Sequence, residues 1–142
     1  MIDRQRLADQ LVIHEGLRLF PYTDTVGKLT IGVGRNLSDV GISRAEAIAL
    51  LSNDIDKAER AALALPWYAG LDPVRQNAVV ELIFNMGSQN FPDRWKATPE
   101  AIARGNYQLA ANLLRSSKWY SQVGPTRGER ICRMIETGRW PA

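Results

Sequence analysis

The chain has 142 residues, 45% of them hydrophobic and 23% charged, with a net charge of +3 and an isoelectric point near 9.3. That composition excludes a disordered chain and suits one compact domain, or two small lobes sharing a core. The mild basic excess favours anionic partners such as nucleic acid, anionic lipid or a wall polymer, without choosing among them.

In chain order, IDRQRLADQLVIHEG predicts a first helix. Ile2, Leu7 and Leu11 recur at helical spacing, Asp3 stands at the N-cap, and Gly16 weakens the helix just after Glu15. The N-terminus is charged and lacks the apolar stretch of a signal peptide, and no window reaches the roughly 18 apolar residues of a membrane span. The expectation is synthesis in a cytoplasm with no stable membrane insertion. From Leu17 to Asn36 the pattern turns strand-like, with KLTIGVG alternating and turns near Thr25–Gly27 and Gly34, so a small antiparallel sheet is expected.

Helices dominate the rest. Ser43-Arg44-Ala45-Glu46 is a capping-box pattern opening a long run, with a break expected near Ser52-Asn53. Asp72-Pro73 starts the most apolar helix, VRQNAVVELIFNM, which Gly87 ends. Thr98 reads as the N-cap of a short helix. NYQLAANLLRSS reads as another helix, WYSQVGP as a loop, and TRGERICRMIET as a closing helix with Gly138 as its cap. The lone Cys132 excludes an intramolecular disulfide and reads as a buried structural thiol. Trp67, Trp95, Trp119 and Trp140 read as packing residues before sugar platforms, with Trp119 the foremost core residue.

Two carboxylates meet at the junction of helix and sheet. Glu15 sits at a helix C-terminus beside Leu17, Leu19 and Phe20, where the dipole and an apolar wall would favour the protonated carboxyl that a general acid needs. Asp24 lies in the polar turn YTDT, where solvent and hydroxyls can support an ionised base. Glycoside hydrolysis uses such a pair. The residues alone also fit a surface glutamate, a turn-forming aspartate and a strand-forming Thr30.

Eight residues separate Glu15 from Asp24, and five separate Asp24 from Thr30. With EGLRL before it and T-I-G-x-G at its end, this segment resembles the active-site signature of phage-type lysozymes, the endolysins of glycoside hydrolase family 24. IFNMG (Ile83–Gly87), SKWYSQ (Ser117–Gln122) and RMIETGRW (Arg133–Trp140) resemble later segments of the same family in the same order.

The resemblance implies an α+β, mainly α, lysozyme-like fold. It would have an N-terminal lobe of about 14–50 holding the sheet and a helical C-terminal lobe of about 66–142, with the first helix packed on the latter. It implies a muramidase cleaving the β-1,4 bond between N-acetylmuramic acid and N-acetylglucosamine in bacterial peptidoglycan, without metal or organic cofactor. Glu15 would be the acid, Asp24 would hold or deprotonate the attacking water, and Thr30 would fix that water. Inversion would need the two carboxyls roughly 6.5–9.5 Å apart.

Gly34, Asn36, Phe84, Asn112 and Arg127 match substrate-cleft positions, Arg127 as partner of the catalytic glutamate. Arg35 replaces a histidine of some members, so a histidine bridge from sheet to helix is not available there. His14, beside Glu15, reads as structural or superficial, because adjacent helical residues diverge by about 100°. A monomer acting on the wall after release by a partner such as a holin is expected. A lytic transglycosylase and a basic nucleic-acid-binding module are the competing readings. Asp24 argues against the first, and the scattered Lys and Arg residues argue against the second.

Overall fold

The computed structural model describes residues 1–87, 90–93 and 95–141. The chain divides into two compact units, Met1–Ala49 and Leu50–Ala142. The architecture is mainly helical, with one small antiparallel sheet, the expected α+β class.

The first unit opens with α1 (Arg4–Glu15). Asp3 caps it by accepting from the Arg6 amide at 3.1 Å, and Gly16, at φ +77°, ends it. The sheet follows in the order β1 (Arg18–Thr23), β2 (Leu29–Gly32), β3 (Arg35–Asn36). Tyr22 pairs with Thr30, and Thr30 pairs in turn with Asn36, so Thr30 lies at the middle of the sheet. The β1–β2 register is irregular between Arg18 and Tyr22. Pro21 falls in that stretch and has no amide to give the ladder, which an edge strand tolerates. Among the described residues of this unit, Thr30 is the one buried side chain.

Helix α2 (Arg44–Leu63) starts in the first unit and continues in the second. The capping box forms: Ser43 Oγ accepts from the Glu46 amide, and Glu46 Oε1 accepts from the Ser43 amide. The break expected at Ser52-Asn53 does not occur, and the helix runs through it. Serine and asparagine cost only tenths of a kcal/mol each in a helix, and no glycine or proline interrupts the run.

The second unit contains α3 (Pro73–Met86), the short α4 (Asn90–Asp93), α5 (Ala97–Ala103), α6 (Tyr107–Arg115), α7 (Lys118–Val123) and α8 (Pro125–Thr137). Its core is built from Val79, Leu82 and Ile83 of α3, Phe91, Ile102, Leu114, and Ile131, Cys132 and Ile135 of α8. Burial pushes the Cys132 thiol up to about 11, consistent with a structural role.

Two local expectations need correction. Helix α5 begins at Ala97, two residues before the Pro99 start that an N-cap at Thr98 implies, so Thr98 is buried inside the first turn instead of capping it. Pro99 is tolerated there because the first-turn amides need no intrahelical partner. WYSQV is helix, not loop. Ser117 caps α7 by accepting from the Tyr120 amide, and buried Trp119 anchors it by donating from Nε1 to Asn85 Oδ1 at 2.9 Å. Trp95 packs edge-on against Trp119, and Trp67 is half-buried against the core, whereas Trp140 is exposed.

Two arginines tie distant helices together. Arg75, at the start of α3, donates to the carbonyls of Ile135 and Glu136 in the last turn of α8 and lies 3.6 Å over the Tyr107 ring. Arg115 of α6 bonds both carboxylate oxygens of Glu129 and reaches Glu136.

Candidate active site

Glu15 is the last residue of α1. The helix stops there because Gly16 takes a positive φ and returns its amide to the Val12 carbonyl at 2.9 Å. The carboxylate then lies against the β2–β3 turn. A Cβ on Gly34 would stand 2.9 Å from Glu15 Oε2, 3.1 Å from Cδ and 3.2 Å from Cγ. Gly34 also has φ +68°. Two separate constraints, backbone conformation and the space taken by Glu15, therefore restrict position 34 to glycine. The expected apolar wall is not built from the neighbouring residues: Leu17, Leu19 and Phe20 are 61%, 77% and 82% exposed. His14 is exposed as well.

Asp24 is fixed by the turn it forms. Its Oδ1 accepts from the Val26 amide at 3.0 Å and the Lys28 amide at 2.8 Å, while its own amide donates to the Lys28 carbonyl at 2.9 Å. Backbone amides hold this carboxylate, not the neighbouring hydroxyls that the sequence YTDT suggests. Among the described residues Oδ2 has no hydrogen-bond partner, so one oxygen orients the group and the other is available to a water. Thr30, 3% exposed, donates from Oγ1 to the same Lys28 carbonyl at 3.0 Å. Its proton is thereby committed, and the hydroxyl can meet a further group as an acceptor. One carbonyl, that of Lys28, thus accepts from both the Asp24 amide and the Thr30 hydroxyl.

Asn36 does not present a free side chain. Its Oδ1 accepts from the Asp39 amide at 2.9 Å, and its Nδ2 donates to Asp39 Oδ2 at 3.0 Å. With no histidine there, Arg35 itself supplies a bridge from sheet to helix. It donates to Glu46 Oε1 at 2.8 Å and to the Gly41 carbonyl at 3.2 Å. Hydrogen bonding from Arg35, then from Ser43, holds the Glu46 carboxyl down at about 2.

In the second unit, Phe84 and Arg127 line one groove of about 540 Å³, together with Tyr68, Glu81, Arg130 and Trp140. Phe84 is 41% exposed, so it belongs to that groove and not to the core. The carboxylate nearest to Arg127 within this unit is Glu81, with Nη2 to Oε1 at 3.4 Å. Asn112 lies on the exposed side of α6, where its Oδ1 accepts from Arg115 at 3.0 Å, and it does not line the groove. Among the described residues no group of three or more His, Cys, Asp or Glu is gathered as a metal site would require.

The sequence profile of the phage lysozyme family matches residues 12–132, a span that contains Glu15, Asp24, Thr30, Phe84 and Arg127. The chain belongs to that family. Its relatives include a SAR-endolysin of Escherichia phage Mu, 35% identical over 142 aligned positions that cover 96% of this chain and 80% of the relative. They also include two proteins of Dictyostelium discoideum named probable T4-type lysozymes 1 and 2, which are 26% and 28% identical over 93% of this chain and 94% of each relative. As a phage lysozyme, the protein is a glycoside hydrolase of the muramidase type, and its substrate class is peptidoglycan. Among the described residues no helix is long and apolar enough to cross a membrane.

Sequence reasoning missed Lys28, Ser38 and Asp39, which brace the Asp24 turn, and Glu81, the partner of Arg127. The cluster Asn36-Leu37-Ser38-Asp39 does carry a turn signal in its residue types. Nothing local marks Glu81.

Proposed function

We propose that this lysozyme hydrolyses the β-1,4 bond between N-acetylmuramic acid and N-acetylglucosamine with inversion of the anomeric centre. Glu15 gives its proton to the leaving oxygen. Asp24, oriented through Oδ1, takes a proton from the attacking water at Oδ2, and the Thr30 hydroxyl accepts a hydrogen bond from that water. Inversion requires the water to enter on the face of the sugar opposite to the acid. Phe84 packs against a sugar ring in the groove it shares with Arg127, and Gly34 lets the chain approach the Glu15 carboxylate closely.

The observation that carries this reading is the division of labour within Asp24. Two amides fix one oxygen and leave the other without a hydrogen-bond partner among the described residues, as a water-activating base needs. Cell lysis follows when the monomeric enzyme, made in the host cytoplasm, reaches the wall through a release partner such as a holin.

Loss of turbidity of purified cell walls, compared between the native enzyme and Glu15→Gln, tests the assignment of the acid. Removal of a general acid is expected to slow clearing by about 10²–10⁴-fold. A glutamine variant that clears walls at the native rate rejects Glu15. NMR analysis of the first-formed anomer tests inversion, and retained configuration excludes the mechanism.

A further inference from the structure

We infer that Asn36 and Asp39 form a positioning clasp for the Asp24–Thr30 turn and that Asn36 acts on catalysis through this clasp instead of by touching sugar. The inference rests on the assignment of Asp24 and Thr30 to the water site.

Lys28 is the hub. Its amide donates to Asp24 Oδ1 and its carbonyl accepts from Thr30 Oγ1, so a shift of this residue displaces both groups. The chain after β3 grips Lys28 and the next residue, Leu29. Lys28 Nζ donates to Asp39 Oδ1 at 3.2 Å, and Ser38 Oγ accepts from the Leu29 amide at 2.9 Å. The Leu37 amide donates to the Leu29 carbonyl at 2.7 Å. Asp39 is held in turn by Asn36 through the reciprocal pair of hydrogen bonds between them. Thr30 and Asn36 are also direct partners across β2 and β3. A continuous set of bonds therefore runs from Asn36 through Asp39 to Lys28, and from Lys28 to both proposed water-site residues.

The Lys28–Asp39 pair is about half exposed, with side chains 41% and 54% accessible. Exposed pairs of this kind add little to global stability. Its contribution is geometric, and small displacements of catalytic groups cost rate out of proportion to stability. A side chain whose oxygen and amide are both engaged by Asp39 is also poorly placed to read a sugar hydroxyl.

The test measures kcat and KM on soluble, uncross-linked glycan strands from purified peptidoglycan, with thermal melts alongside. The variants are Asp24→Asn, Asn36→Ala, Asp39→Ala and the double variant Asn36→Ala/Asp39→Ala. Each clasp variant is expected to lower kcat about tenfold, with KM within about twofold and the melting temperature nearly unchanged. The double variant is expected to be about as slow as either single one, because both act on one linkage. Asn36→Ala raising KM at native kcat, or Asp39→Ala leaving both constants native, overturns the clasp. Native activity in Asp24→Asn overturns the water-site reading, and the clasp with it. With Asp24→Asn inactive, only the clasp is at stake.

Discussion

The Glu15 carboxylate occupies the space that a side chain on residue 34 would need, with Oε2 only 2.9 Å from where a Cβ on Gly34 would lie. Gly34→Ala therefore has two costs, a left-handed backbone at φ +68° and a displaced carboxylate. Gly32 separates them. Its φ is +69°, yet a Cβ there meets nothing within 4 Å. Both alanine variants should lose about 1–2 kcal/mol of stability from the backbone. Only Gly34→Ala should also slow wall clearing, by about 100-fold, as expected where the proposed acid, Glu15, is moved by about 1 Å. Clearing rates and denaturant melts of the two variants check this, and equal losses of activity would refute the packing argument.

The Arg35–Glu46 pair predicts an acid-sensitive junction between β3 and the start of α2. Hydrogen bonding from Arg35 holds the Glu46 carboxyl at about 2, against an ordinary value of 4.5. For a carboxyl depressed by folding, the stabilisation is complete above the unfolded value and is lost as pH falls toward the folded one. The contribution should thus be full above about pH 4.5 and fade toward pH 2. Carbon-detected NMR should place the Glu46 titration near pH 2, and in Glu46→Gln the part of the acid-induced loss of stability due to this residue should vanish. A Glu46 midpoint at an ordinary glutamate value would reject the pairing.

Features fixed by a few neighbouring residues were legible in the sequence. Asp3, the Ser43–Glu46 box, Asp72-Pro73, Gly87 and Gly138 all stand where their side chains or missing side chains predict helix ends. Part of what failed depended on distant partners. Helix α7 was hidden because its anchor, Trp119, finds its hydrogen-bond acceptor on Asn85 of α3. At the site, the spacing of Glu15, Asp24 and Thr30 pointed to a chemistry but not to the atoms that orient it. The amides that hold Asp24 belong to its own turn, yet YTDT suggested hydroxyls, because residue types name the available donors and the backbone path chooses among them. Arg127 of α8 finds Glu81 on α3, far away in sequence, a pairing with no local signal.

Arg75 should be among the most costly side chains to remove from the second unit. It donates to Ile135 and Glu136 carbonyls at 2.6 and 3.0 Å, pairs with Asp72 and stacks on Tyr107. Its side chain is 15% accessible, so the carbonyls it serves gain little water when it is lost. Arg75→Ala should cost about 2–3 kcal/mol in urea unfolding. Arg75→Lys should recover less than half of this, because an ammonium cannot serve two carbonyls and stack at once. A lysine variant of native stability would show that charge alone matters there.

Gly128 sets two opposed effects against each other. It lies inside α8, where glycine costs about 1 kcal/mol relative to alanine, so propensity alone predicts that Gly128→Ala stabilises the protein. The packing predicts the reverse. A Cβ at residue 128 would stand 2.8 Å from Tyr120 Cδ2 and 3.1 Å from Cε2. The ring cannot swing away freely, because its hydroxyl donates to Glu129 Oε2 at 3.1 Å and Glu129 is bound by Arg115. Overpacking of this kind costs about 1–3 kcal/mol, so the clash should win and Gly128→Ala should lower the unfolding free energy by about 1 kcal/mol. The decisive comparison is a second background. In Tyr120→Leu the ring is gone, and the same substitution at 128 should become stabilising as propensity takes over. If Gly128→Ala has the same sign in both backgrounds, the Tyr120 ring is not what requires glycine in α8.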